Sequence, residues 1–133
     1  MIDFVLDASA LLELAAGPAP DRDLVHRAAT GRGAAPEMID IEVLHTLRRL
    51  VRSGQVERDA ADEITTALAD APIARSPHRA LLARVWELRE SVTAYDAAYV
   101  ALAEQLAVPL LTCDARLGRA HGHRAEVVVY PRS

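Results

Sequence analysis

The sequence predicts an α/β fold, a short parallel sheet covered by helices on both faces. Two observations carry that prediction. Short apolar runs of strand length, "IDFVLD", "GAAP", "PIAR", "LLTCD" and "EVVVY", are spread along the chain. Helix-length segments separate them, with Gly or Pro at most of the joints. Strands buried on both faces read as continuous apolar runs, and parallel neighbours need helical crossovers.

Taken in order, "IDFVLD" is a buried strand ending in Asp7. "ASALLELAA" is a helix stopped by Gly17, Pro18 and Pro20, and "DRDLVHRAAT" is a second, ended by "GRG". "GAAP" is a minimal strand. It leads into a helix that starts near Glu37 and runs to about Ser53, with Val43, Leu44, Leu47, Leu50 and Val51 on one face. After Gly54, "ERDAADEITTALAD" is a helix stopped by Pro72, and "PIAR" is a short strand. "HRALLARVWELRE" is a helix after Pro77. The next helix runs from about Ala94 to Ala107, and Pro109 closes its loop. "LLTCD" is a strand ending in Asp114, "ARLGRA" a brief helix, and "EVVVY" the last strand. No linker divides the chain, so one domain over residues 1–133 is expected.

Composition narrows the function. Half of the chain is apolar and a quarter is charged, which is ordinary for a globular protein. No apolar run approaches membrane-spanning length, and no basic segment precedes the apolar start. With a single cysteine, Cys113, a cytoplasmic protein without an internal disulfide is expected. All 15 basic residues are arginine. The lack of lysine excludes a P-loop NTPase, a receiver domain and a lysine Schiff-base enzyme.

Four carboxylates are expected at one edge of the sheet. Asp7 and Asp114 close two strands. If those strands are parallel, both side chains project at the edge where α/β sheets bind ligands. The helix carrying Asp96 climbs about 20 Å at 1.5 Å per residue and turns directly into "LLTCD". Its first turn therefore lies over that strand's carboxyl end. Glu42 lies in the second turn of the helix after "GAAP". Four converging carboxylates repel one another unless a cation compensates, and oxygen-only ligands favour Mg²⁺ or Mn²⁺ over Zn²⁺. Ser9 and Thr112 can add hydroxyl contacts to a ligand or a metal-bound water. Such a site suits metal-assisted hydrolysis of a phosphodiester.

Each acid taken singly also has a structural reading. Asp7 and Asp114 precede helices and can cap them. "TAYD" is a capping box with Thr93 at the N-cap. Glu42 can be a solvated side chain. Tyr95 and Tyr99 read as packing residues, His121 and His123 as an exposed loop, and Cys113 as a small apolar side chain. Arg48, Arg49 and Arg52 are either a phosphate-steering patch or a polar helix face.

Three stretches, "VLDASALLEL", "PEMIDIEVLHTLRRLVRSG" and "TAYDAAYVALAEQLAVPLLTCDARL", together resemble the PIN-domain ribonucleases, specifically VapC-like toxins of bacterial toxin–antitoxin pairs. The likeness spans nearly the whole chain. It implies a three-layer α/β/α fold and Mg²⁺- or Mn²⁺-dependent endoribonuclease activity. It places the family's acidic tetrad on Asp7, Glu42, Asp96 and Asp114, and its two hydroxyls on Ser9 and Thr112. It also implies an RNA substrate, a cognate antitoxin and a homodimer. Cys113 departs from the polar or basic residue that many relatives carry there. Two rivals stand: a PIN nuclease outside any toxin pair, and a PIN-fold binding module without chemistry. An aspartyl-nucleophile phosphatase is disfavoured, because its second acid would be Ser9 and its lysine is missing.

Overall fold

A computed structural model describes residues 1–132. Its centre is a five-stranded parallel sheet: β1 (Phe4–Leu6), β2 (Gly33–Pro36), β3 (Ile73–Ser76), β4 (Leu110–Thr112) and β5 (Val127–Val129). The strand order is β3-β2-β1-β4-β5. The chain thus starts in the middle, builds outward through β2 and β3, then returns to build the other side. The reversal point lies between β1 and β4, paired as Val5↔Leu110 and Leu6↔Leu111. In open parallel sheets the loops on either side of that point diverge, leaving a crevice beyond the carboxyl ends.

The helices are α1 (Ala8–Ala16), α2 (Arg22–Thr30), α3 (Ile39–Arg52), α4 (Arg58–Ala69), α5 (Leu82–Glu87), α6 (Ala94–Leu106) and α7 (Ala115–Gly118). The packing pairs α1 with α2 and α3, and α3 with α4; α5 lies on α6, which crosses β1, β2 and β4. Right-handed crossovers put these two groups on opposite faces, because the chain moves in opposite directions across the sheet. This is the expected three-layer α/β/α arrangement. Val5, Leu110 and Leu111 are fully buried at its centre.

The carboxyl edge depends on how each element begins. β1 stops at Leu6 because Asp7 leaves the sheet to cap α1, accepting the Ala10 N–H at 2.9 Å. β4 stops at Thr112, and Asp114 caps α7 through the Arg116 N–H at 2.9 Å. Both strands are thus shorter than the sequence predicts, and both acids lie just beyond them. Helix α6 is apolar nearly all round, and Ala97 to Ala103 are buried, which is the pattern of a helix enclosed by protein. Its alanines permit close approach to the sheet. Thr93 caps it by accepting the Asp96 N–H at 3.2 Å, as the capping box predicts. Gly118 lets α7 close on β5, since a Cβ there would stand 2.4 Å from Val129 Cγ2.

Two expectations need correction. The segment 78–90 is not one helix: a 3₁₀ turn (Arg79–Leu81) precedes α5, and α5 frays through i→i+3 bonds such as Arg89 N–H to the Trp86 carbonyl. Helix α3 starts at Ile39 rather than near Glu37, so Glu42 falls in its first turn.

An ion pair fastens α5 to α6. Arg84 donates from Nε and Nη2 to the Glu104 carboxylate at 2.8 and 3.0 Å, and Nη2 also reaches the Gly122 carbonyl at 3.2 Å. The Glu104 side chain is only 3% exposed. Arg84→Ala would leave that carboxylate short of its main partner, costing about 2 kcal/mol. Urea unfolding should show the midpoint falling with an unchanged slope. A variant as stable as the wild type would contradict this.

Candidate active site

Asp7 is the most enclosed of the four acids, 5% exposed. Three donors fix its carboxylate. Ser9 Oγ donates to Oδ1 at 2.6 Å, beside the Ala10 N–H, and Thr112 Oγ1 donates to Oδ2 at 2.5 Å. Both hydroxyls are themselves held by backbone: Cys113 N–H donates to Ser9 Oγ at 2.9 Å, and Asp114 N–H to Thr112 Oγ1 at 3.0 Å. Ser9 and Thr112 thus orient Asp7, and tie β1 to the loop after β4. Burial still dominates and pushes the Asp7 carboxyl above its ordinary range, against these bonds.

Glu42 and Asp96 are half-buried and likewise raised, chiefly by burial. The remaining influences reveal their neighbours. The charges of Asp96 and Asp7 act on Glu42, and that of Asp114 acts on Asp96. Asp96 also acts on Asp7. Asp96 is therefore the hub: each of the other three acids interacts with it. Asp114 alone is held below the usual range, by Arg116, whose Nε and Nη2 stand 3.3 and 3.1 Å from its oxygens. Arg116 is the cation hydrogen-bonded to these acids among the described residues; its charge also favours ionised Asp96, and the charge of Arg119 adds to its effect on Asp114.

The structure thus brings the four predicted acids and both hydroxyl residues to one edge. Two further residues join them. Tyr99 is 1% exposed, and its hydroxyl donates to Glu42 Oε1. Burial, and after it that bond, raises the phenol well above its ordinary range. Arg116 is the other. Tyr99 follows Asp96 by three residues, one helical step along the same face. That spacing was the available signal; its partner on α3 was not legible. Tyr95, in contrast, does not pack: it is 64% exposed. With Ala8, Ile41, Glu42, His45 and Thr46 it lines a cavity of about 470 Å³ beside the acids. Cys113 is half-buried with its thiol pushed up to about 11 by burial and the Asp7 charge, so it is not a thiolate at neutral pH. Arg48, Arg49 and Arg52 are exposed on α3, and His121 is exposed in its loop.

The PIN domain family profile matches residues 4–122, most of the chain and all four acids. The chain belongs to the PIN-domain family. Within it, this PIN domain is 37% identical to Ribonuclease VapC12 of Mycobacterium tuberculosis, over 92% of the chain and 95% of that protein. It is 39% identical to Ribonuclease VapC1 of the same organism, over 96% and 97%. Its fold matches the crystal structure of PAE2754 from Pyrobaculum aerophilum with a TM-score of 0.69 at 24% identity, over 95% of the chain and 83% of that structure. VapBC2 from Rickettsia felis, solved bound to a DNA fragment from its promoter, matches with a TM-score of 0.66 at 12% identity, over 96% and 98%.

Among the described residues, no three His, Cys, Asp or Glu side chains stand in ion-holding geometry as placed. Asp7 and Asp114 turn their oxygens to Ser9, Thr112 and Arg116, as acids do when hydroxyls and a guanidinium supply their compensation. The donor chemistry nevertheless fits a hard cation: four carboxylates, no imidazole or thiolate among them, and three acids raised by burial and mutual repulsion.

Proposed function

We propose that this PIN domain is a metal-dependent endoribonuclease, the toxin half of a VapBC-type toxin–antitoxin pair. One observation carries the reading. Asp96 interacts with each of Asp7, Glu42 and Asp114 at the carboxyl edge of the sheet, in a chain 37–39% identical to proteins named as VapC ribonucleases. The same reading gives the chain an RNA substrate, a cognate antitoxin, a homodimeric state and a cytoplasmic location. It is favoured over a silent binding module because raised, mutually repelling acids cost stability that a purely structural site has no reason to bear.

Asp7, Glu42, Asp96 and Asp114 would hold Mg²⁺ or Mn²⁺, directly or through water. When bound, the ion activates water and neutralises charge on the scissile phosphate. Ser9 and Thr112 keep Asp7 in one rotamer, so the most buried ligand needs little reorganisation. Thr93 fixes the start of α6 and with it the position of Asp96. Arg116 keeps Asp114 ionised and adds positive charge where an anionic strand must approach. The exposed Tyr95 ring and the cavity behind it offer an apolar wall for an unstacked base next to the acids.

Calorimetric titration of the EDTA-treated chain with Mn²⁺ tests the metal centre. Saturable binding is expected, weakened by at least about tenfold in Asp96→Asn. A wild-type chain that binds no Mn²⁺ would overturn the metal-dependent reading.

A further inference from the structure

The four acids are not equally constrained. Asp7 has three hydrogen-bond donors, and Asp114 has Arg116 and a backbone N–H. Glu42 has the longest side chain of the set, on a helix whose start carries no side-chain cap. Among the described residues, Tyr99 is the sole hydrogen-bond donor to its carboxylate. A glutamate with three free torsions samples many positions unless something holds its end. Tyr99 can hold it: the ring is locked in the core, 1% exposed, and its hydroxyl donates to Glu42 Oε1. The bond also links α3 to α6, so it spans the two elements that carry Glu42 and Asp96.

We propose that Tyr99 is a positioning residue for the reaction. Its hydroxyl ties back Glu42 Oε1 and presents Oε2, which has no protein donor among the described residues, to the site. The inference rests on the proposed function and deepens it. The bland alternative is that Glu42 merely satisfies a buried phenol, as buried tyrosines require. The two differ in what happens when the hydroxyl alone is removed.

The test is Tyr99→Phe, which keeps the ring and its packing, compared with wild type, Glu42→Ala and the double variant. Orienting partners of metal ligands typically contribute about 10- to 100-fold to metal affinity or activity. Tyr99→Phe should therefore lower kcat for RNA cleavage in Mn²⁺ by about tenfold or more, with KM for RNA little changed. Its Mn²⁺ affinity, read by calorimetry, should fall in the wild-type background but not further in Glu42→Ala. A Phe variant with wild-type kcat and Mn²⁺ affinity overturns the proposal. So does an equal loss of affinity in the Glu42→Ala background, which would mean that Tyr99 acts through the fold. In both of those results the wild type still binds Mn²⁺ and cuts RNA. A wild type that does neither instead removes the function on which the proposal rests.

Discussion

Asp96→Asn is expected to lower RNA cleavage by roughly a thousandfold, equivalent to the several kcal/mol that a bound cation supplies to a phosphoryl transition state. The size of the loss follows from the position of Asp96. It is the acid whose charge interacts with each of the other three. Removing it takes away a ligand and the centre of the negative field together. The fold should survive, because Thr93 caps the helix through the Asp96 backbone N–H, and an Asn side-chain oxygen can still accept from the Thr93 hydroxyl. Asn is nearly isosteric and keeps that amide. The thermal midpoint in EDTA should therefore hold or rise while the rate collapses. A variant that cuts at the wild-type rate would remove Asp96 from the reaction.

Asp7→Asn should likewise abolish cleavage, and it carries a second expectation with a definite sign. The folded-state pKa of Asp7 is raised above its ordinary 3.8, chiefly by burial. Below about pH 4 the carboxyl is protonated folded or unfolded, and its burial carries no ionisation penalty. As pH rises through the raised folded value, the folded state must ionise a buried group and stability is lost. Asn never ionises. In EDTA, Asp7→Asn should match the wild type near pH 4 and exceed it at neutral pH. Glu42 and Asp96 move in the same sense in both proteins. Asp114 and Glu104, whose pKa values are lowered, lose their contribution as pH falls, again in both, so the difference between the two proteins reports Asp7 together with the repulsion between its charge and those of Glu42 and Asp96. Thermal midpoints from pH 4 to 8 measure it. A variant less stable than the wild type at neutral pH would show that the carboxylate is there for the fold.

These expectations began as sequence patterns, and the patterns were unequally informative. Alternation of short apolar runs with helices identified the layers, because burial on both faces leaves a strand no polar side. It could not give the strand order. That order makes β1 and β4 neighbours and places Asp7 and Asp114 across one crevice. The apolar runs extend past the strand ends for a physical reason. Asp7 and Asp114 continue an apolar run, yet each leaves the sheet to cap the next helix, and hydrophobicity does not register a cap. Capping does not take these acids away from the edge: Asp7 and Asp114 each cap a helix and still lie just beyond a strand end. In segment 78–90 the apolar spacing fits either a 3₁₀ turn or an α-helix, so the break at Leu81–Leu82 was invisible.

Within the site, the acids were legible because their type and order are distinctive. The supporting hydrogen bonds were less so. The sequence places Ser9 and Thr112 within reach of a ligand or a metal-bound water, but not the burial of Thr112 or the donation of both hydroxyls to Asp7. The two tyrosines show the limit most clearly. On spacing alone Tyr95 and Tyr99 are equivalent, four residues apart on one helix. Only the way α6 lies on the sheet buries Tyr99 with its hydroxyl on Glu42 and leaves Tyr95 exposed at the cavity mouth.

The most direct measurement is cleavage of total bacterial RNA by the purified, antitoxin-free chain in Mn²⁺, Mg²⁺ or EDTA, with the new 5′ ends sequenced. Discrete cuts that appear with either cation, vanish in EDTA and return when Mn²⁺ is restored are the predicted result. Cleavage that continues undiminished in EDTA, or a Mn²⁺-bound chain that leaves every RNA intact, would contradict it.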